Sequence, residues 1–306
     1  MNKNSDQGLL AGLALAFVGA IAFSGKAIIV KLAYRYGVDA VTLLMLRMLF
    51  AMPIFAVMAW WASRGQAPLT RRDWLGVAGL GFIGYYFSSF LDFAGLQYIT
   101  ASLERLILYL NPTMVMVLAW LLYRRRVRRL HVAGMAVSYS GVLLVLGREL
   151  SFEGSQVALG AFLVFASTVT YALYLVYSGQ LVQRLGSLRL VGLATLVACL
   201  CCVLQFIVLR PVAAATAVAP QVIWLSVLNA IFCTALPVLL VMMAIERIGP
   251  ALSAQTGMIG PVSTIIMGVL ILDEPFTPWI AAGTVLVISG IFVFSRAGRT
   301  EPLRER

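Results

Sequence analysis

Five ionisable residues lie inside long apolar runs of this 306-residue chain: Lys26, Arg47, Asp92, Glu104 and Arg105. A charge in an apolar medium is expensive, so such groups pair with one another or face a wet cavity, and they mark ion or substrate pathways. Three cations and two carboxylates can form a structural ion-pair network. They can equally form a gate or coupling site, with Asp92 or Glu104 accepting a proton. A third reading, for Lys26 and Arg105, is snorkelling towards an interface. Hydroxyl groups make a second set. Tyr85, Ser88, Ser89 and Asp92 recur at helical spacing, as do Ser167, Thr170, Tyr171, Tyr174 and Ser178, and Ser253, Thr256, Gly257, Gly260 and Thr264. Small hydroxyl residues and glycines also glue helices together. Tyrosines, apolar in body and polar at the tip, suit a half-apolar pocket. Tyr85, Ser89, Tyr109, Tyr171, Tyr174, Asn229 and Thr256 are the candidates for contact with a small-molecule substrate. No H-E-x-x-H, Walker loop or nucleophile–base pair accompanies them, so no enzymatic chemistry, cofactor or metal is expected. The sole histidine, His131, stands beside an arginine run, and Cys199, Cys201, Cys202 and Cys233 read as small hydrophobes.

The elements that must position these groups follow from composition. The chain is 61% hydrophobic and 11% charged, with a mean hydropathy of +0.95. That places it in a bilayer. Ten apolar runs are long enough to span: 9–34, 41–62, 74–98, 101–123, 130–146, 157–183, 190–209, 222–245, 251–272 and 279–294. Each must be a helix, because lipid offers the backbone no hydrogen-bond partner and the runs are too long for barrel strands. The expected fold is therefore an all-α integral membrane protein. The net charge of +11 sits in short clusters between the runs, which is a topology signal and excludes nucleic acid as a partner. With the N-terminus inside, inner segments hold 16 of the 23 Lys and Arg residues and outer segments hold 4, the other 3 lying within spans. Both termini are thus expected on the cytoplasmic side of the membrane.

The second half echoes the first. Pro112 and Pro261, Gly134 and Gly283, and Gly141 and Gly290 are each 149 residues apart. Two units are expected, 1–150 and 151–306, of five spans each. An odd number of spans turns the second unit upside down, the inverted repeat from which one unit builds two gates. The loop charges agree: RRRVRR follows the fourth span, Asp273-Glu274 the ninth. The second half has no counterpart to the five buried charges, because Val241, Ser253 and Ala254 stand where Asp92, Glu104 and Arg105 would fall. Pro112 and Pro261 fall mid-span at matched positions, as transport hinges or as passive kinks. The glycine pairs predict close helix packing, with a weak dimer as the alternative to a monomer.

Asn111-Pro112 through Gly134 and Gly141, and Gly260-Pro261 through LILDEPFTPWIAAGTVLVISGIFVF, resemble the drug/metabolite transporter superfamily, specifically its ten-span bacterial EamA type. Arg47 within LLMLRMLFAMP and the Tyr171–Tyr174 stretch fit the same pattern, and the resemblance covers nearly the whole chain. It implies secondary transport of small polar or zwitterionic metabolites such as amino acids, commonly outward, by alternating access. Protons or an exchanged solute would drive it. A facilitative channel, or an uptake carrier for vitamin-like or quaternary amine substrates, is the alternative. One feature departs from the pattern: many members carry an acidic residue after the fourth span, where this chain has arginines.

Overall fold

The computed structural model describes residues 3–124, 129–153 and 155–299, and every regular element among them is helical. Arg125, Arg126 and Arg128 of the basic loop lie outside the described residues. The helices are α1 (Lys3–Tyr34), α2 (Ala40–Ser63), α3 (Arg71–Leu80), α4 (Ser88–Leu96), α5 (Ala101–Leu108), α6 (Asn111–Tyr123), α7 (Arg129–Glu153) and α8 (Ser155–Leu185). They continue as α9 (Ser187–Leu209), α10 (Ala213–Thr216), α11 (Pro220–Ala230), α12 (Leu236–Thr256), α13 (Gly260–Leu272) and α14 (Pro278–Arg299). Eight segments are long and apolar enough to cross a membrane, from Leu9–Tyr34 to Pro220–Ile245, and Gly260–Leu272 and Pro278–Val293 are shorter apolar helices.

Local chemistry explains the starts and stops. Asp39 caps α2, its carboxylate accepting from the backbone N–H groups of Val41 (3.0 Å) and Thr42 (3.3 Å). Thr70 and Asp73 form a capping box on α3, and Thr100 caps α5 through Leu103 N–H at 3.1 Å. The counterpart of Thr100, 149 residues on, is Gly249, which has no side chain to cap with. There the loop expected between residues 245 and 251 is absent, and α12 continues to Thr256.

Other irregularities recur at the same offset. α3 and α4 are joined by a π-helical segment, Gly81–Phe87, and α11 and α12 by another, Ile231–Ala235. α6 and α13 both stop at a non-glycine residue in the left-handed region, Arg124 (φ 50°) and Asp273 (φ 60°). The prolines require a correction. Pro112 and Pro261 are not inside continuous helices but in the first turn of α6 and α13, after a break. A proline there forfeits no helical hydrogen bond, because the first N–H groups of a helix have no intrahelical acceptor.

The sequence glycines do pack helices. α7 and α14 run antiparallel: Gly134 faces Gly290, Ser138 Oγ donates to Val287 O at 3.4 Å, and Gly141 faces Gly283. A Cβ on Gly141 would stand 2.6 Å from Gly283 O, and one on Gly283 would stand 2.8 Å from Gly141 O. Only hydrogen allows that approach.

Candidate functional site

A cavity of about 430 Å³ opens within the bundle, lined from α1, α2, α4, α5, α6, α8, α9, α12 and both π-helical segments. Its volume suits a small molecule. Lys26, Arg47, Asp92 and Arg105 are in the wall, as are Tyr85, Ser89, Tyr109 and Tyr171. The long-range fold therefore brings together eight residues scattered over 146 positions of sequence (26 to 171).

Lys26 is the hub of the charged side. Its Nζ donates to Asp92 Oδ2 at 2.5 Å and lies 3.1 Å from Glu104 Oε1. Glu104 is fully buried just behind the wall and Asp92 is 3% exposed, so the two carboxylates share one ammonium out of water. Arg47 is 7% exposed; its Nε donates to Thr234 Oγ1 at 3.0 Å and its guanidinium lies 5.1 Å from the Phe93 ring centre. Arg105 donates from Nη2 to Ser24 Oγ at 3.1 Å and sits 5.5 Å from the Tyr109 ring centre. Neither arginine has a carboxylate within 4.0 Å among the described residues.

The other side is aromatic. Tyr85 and Tyr174 meet edge-on with centroids 5.0 Å apart and hydroxyls 3.2 Å apart, and Tyr171 stacks on Tyr174 at 5.5 Å. Tyr174 is 4% exposed and backs the two tyrosines that line the cavity. Gly84 makes room for it: a Cβ there would come 2.6 Å from Tyr174 Cδ2. Ser88 and Ser167, from two of the sequence stripes, bond each other at 3.0 Å and still contribute to the lining, so glue and lining are one role there.

Three candidates are off the lining: Tyr174, directly behind it, and two others. Asn229 is 1% exposed and off the lining, its backbone carbonyl accepting from Thr234 Oγ1 at 2.8 Å. Thr256 ends α12 and is also off the lining. Thr234, Thr195 and Asn111 line the cavity and sequence spacing did not select them. Thr234 belongs to a π-helical segment, whose extra residue per turn breaks the 3.6 period used to find stripes. Thr195 is an isolated hydroxyl in an apolar run, and only its pairing with a cavity distinguishes it.

The two helix breaks meet at the cavity. Tyr109 OH, beside the first break, donates to Gly257 O in the second at 2.6 Å. Gly260 lies against the tip of Arg105: a Cβ would stand 2.5 Å from Arg105 Nη2, and that side-chain end would have to shift. At the end of the bundle where α5 starts, Glu274 accepts from the N–H groups of Ala101 (2.7 Å) and Ser102 (3.3 Å) and from Ser102 Oγ (2.8 Å). Arg35 donates to Leu272 O at 2.5 Å, and Arg210 pairs with Asp39 at 3.4 Å. The sequence marked Glu274 only as a loop charge; its capping role depends on a helix start 173 residues away.

The EamA-like transporter family matches the chain twice, over residues 10–147 and 158–296. The uncharacterized transporter YcbK of Bacillus subtilis (strain 168) is 29% identical over 86% of this chain and 86% of its own length. The uncharacterized transporter YetK of the same organism is 25% identical over 92% of this chain and 84% of its own. An uncharacterized transporter of Archaeoglobus fulgidus is 22% identical over 95% of this chain and 97% of its own. A crystal structure of a protein 20% identical aligns over 95% of this chain and 98% of its own with a TM-score of 0.64, a likeness of fold. With these relatives, its all-helical architecture and its run of apolar spans, the chain belongs to the EamA-like family of the drug/metabolite transporter superfamily and is a multi-pass membrane transporter.

Proposed function

We propose that this transporter is a secondary active exporter of small polar metabolites, working by alternating access across a bacterial inner membrane. Ten spans in two inverted five-helix units, 1–150 and 151–306, would form the carrier. Support comes from the recurrence of π-helical segments, helix breaks and left-handed caps at one offset, and from the antiparallel pairing of α7 with α14, which hold matched positions in the two halves. The single observation that carries the reading is one cavity with a shared Lys26–Asp92–Glu104 cluster in and just behind its wall. A proton taken by either carboxylate would release that carboxylate from Lys26, and this is how a gradient would couple to solute movement.

The bonds of Glu274, Arg35 and Arg210 tie together one end of the bundle. The positive-inside rule assigns that end to the periplasmic side, with both termini cytoplasmic. Lining residues Val191, Val238 and Met242 extend the cavity the other way, towards the start of α9 and the 245 end of the eighth span. We read this conformer as the cytoplasm-facing, loading state of an exporter, and Pro112 and Pro261 would mark the breaks about which the halves rock. Counterflow in proteoliposomes, with a solute selected by thermal-shift screening, tests this reading. A carrier accelerates tracer exchange when unlabelled solute is placed on the far side; a channel does not. Asp92→Asn and Glu104→Gln should each abolish the response to a pH gradient while leaving exchange measurable. Flux indifferent to both substitutions and to the gradient removes proton coupling.

A further inference from the structure

The cavity has an electrostatic imbalance that narrows its cargo. Lys26, Arg47 and Arg105 face Asp92 and Glu104, three cations against two carboxylates, and both carboxylates are engaged with Lys26. Arg47 is 7% exposed, has no ion pair among the described residues, and its Nη1 is buried without a hydrogen-bond partner there. Arg105 Nε is likewise buried and unpartnered. Asp92 and Glu104 act on the two guanidiniums only from beyond ion-pair distance. A largely buried cation with no paired anion is costly, and an anion entering the cavity removes that cost. The guanidinium fork is the side chain best matched to a carboxylate. Besides the charges and the hydroxyls of Ser88, Ser89, Ser167, Thr195 and Thr234, the wall is apolar and aromatic, with Phe55, Met48, Tyr85 and Tyr171.

We infer that the cargo is a small organic monoanion: a carboxylate held by Arg47 and Arg105, on an apolar body lodged against Tyr85 and Tyr171. The assignment rests on the carrier reading above and narrows it. An amine cargo adds to the positive excess. A zwitterion leaves the excess in place, and its ammonium must compete with Lys26 for Asp92. The monoanion alone brings the site to neutrality.

The test uses the purified full-length protein in detergent and three probes that share a phenyl body: 3-phenylpropanoate, phenylalanine and phenethylamine. 3-Phenylpropanoate should raise the unfolding temperature in a concentration-dependent way and bind tighter than the other two. Arg47→Gln and Arg105→Gln should each weaken it by roughly 10–100-fold, the scale of a buried charge-assisted bond. Phenylalanine or phenethylamine binding more tightly overturns the inference, as does the absence of any 3-phenylpropanoate response at millimolar concentration. The wild-type ranking decides the matter even if a variant fails to fold. If phenethylamine binds best and shows counterflow, the anion assignment falls and the carrier stands. If 3-phenylpropanoate binds without counterflow, the site stands and the carrier falls.

Discussion

Lys26 carries two buried carboxylates, and its worth is measurable by removing it. Lys26→Met leaves Asp92 and Glu104 buried without the ammonium they both pair with, which should destabilise the protein by about 3–5 kcal/mol. Adding Asp92→Asn and Glu104→Gln removes both orphaned charges and should restore most of that stability in detergent melts. A triple variant no more stable than Lys26→Met would show that the network is not what Lys26 supports. Asp39 gives a residue-scale effect outside the spans. Partial burial pushes its carboxyl up, but the hydrogen bonds from Thr42 and Val41 and the charge of Arg210 outweigh that and hold it below its ordinary 3.8. A depressed folded-state value means that the stabilisation is fully present above about that ordinary value and is lost as pH falls through the folded one. Asp39→Ala should therefore cost about 1 kcal/mol near neutrality. Its melting difference from wild type should shrink below pH 3.8, and a difference constant with pH would contradict the charge-dependent part.

At the scale of elements, the fourth span is built as α5, a break and α6, and Glu274 holds the first turn of α5 from another part of the chain. Glu274→Ala leaves the N–H groups of Ala101 and Ser102 without their acceptor, at a cost of about 1–3 kcal/mol. Hydrogen exchange at these two amides should accelerate, while the α7–α14 interface stays protected. Unchanged exchange at Ala101 and Ser102 would mean the carboxylate is not their partner in solution. The same element shows where sequence reading stops. A proline at position 112 signals an interruption, but a kinked helix and a restarted helix have the same local sequence. Only the backbone hydrogen bonds on either side, and Tyr109 reaching Gly257, distinguish them.

For the whole molecule, the charge bias of the loops makes a direct topological statement. In intact cells, a membrane-impermeant thiol reagent should modify Tyr36→Cys, in the exposed loop after α1, and not Gln66→Cys, in the exposed loop after α2. The native thiols are buried or half-buried inside helices and give a low background. The opposite labelling pattern would invert the orientation, and with it the assignment of the Glu274 end of the bundle to the periplasmic side.

What the amino-acid order determined by itself is what lipid enforces residue by residue. Apolar run length dictates helices, caps such as Asp39 and Thr100 place their starts, loop charge biases orientation, and the 149-residue offset between paired prolines and glycines announces duplication. The charge layer was legible too, since Lys26, Arg47, Asp92, Glu104 and Arg105 are costly in apolar runs unless paired, facing water or snorkelling. Their pairing was not legible. Lys26 meets Asp92 across 66 positions and Arg47 meets Thr234 across 187, and nothing local encodes which helices become neighbours. Tertiary packing alone decided that Lys26 takes both carboxylates, that Arg47 is left with an empty donor on a cavity wall, and that Asn229 is buried off that wall. The physical reason is that hydropathy and helical period act within one helix, whereas charge compensation depends on distances between helices, which only the assembled bundle sets.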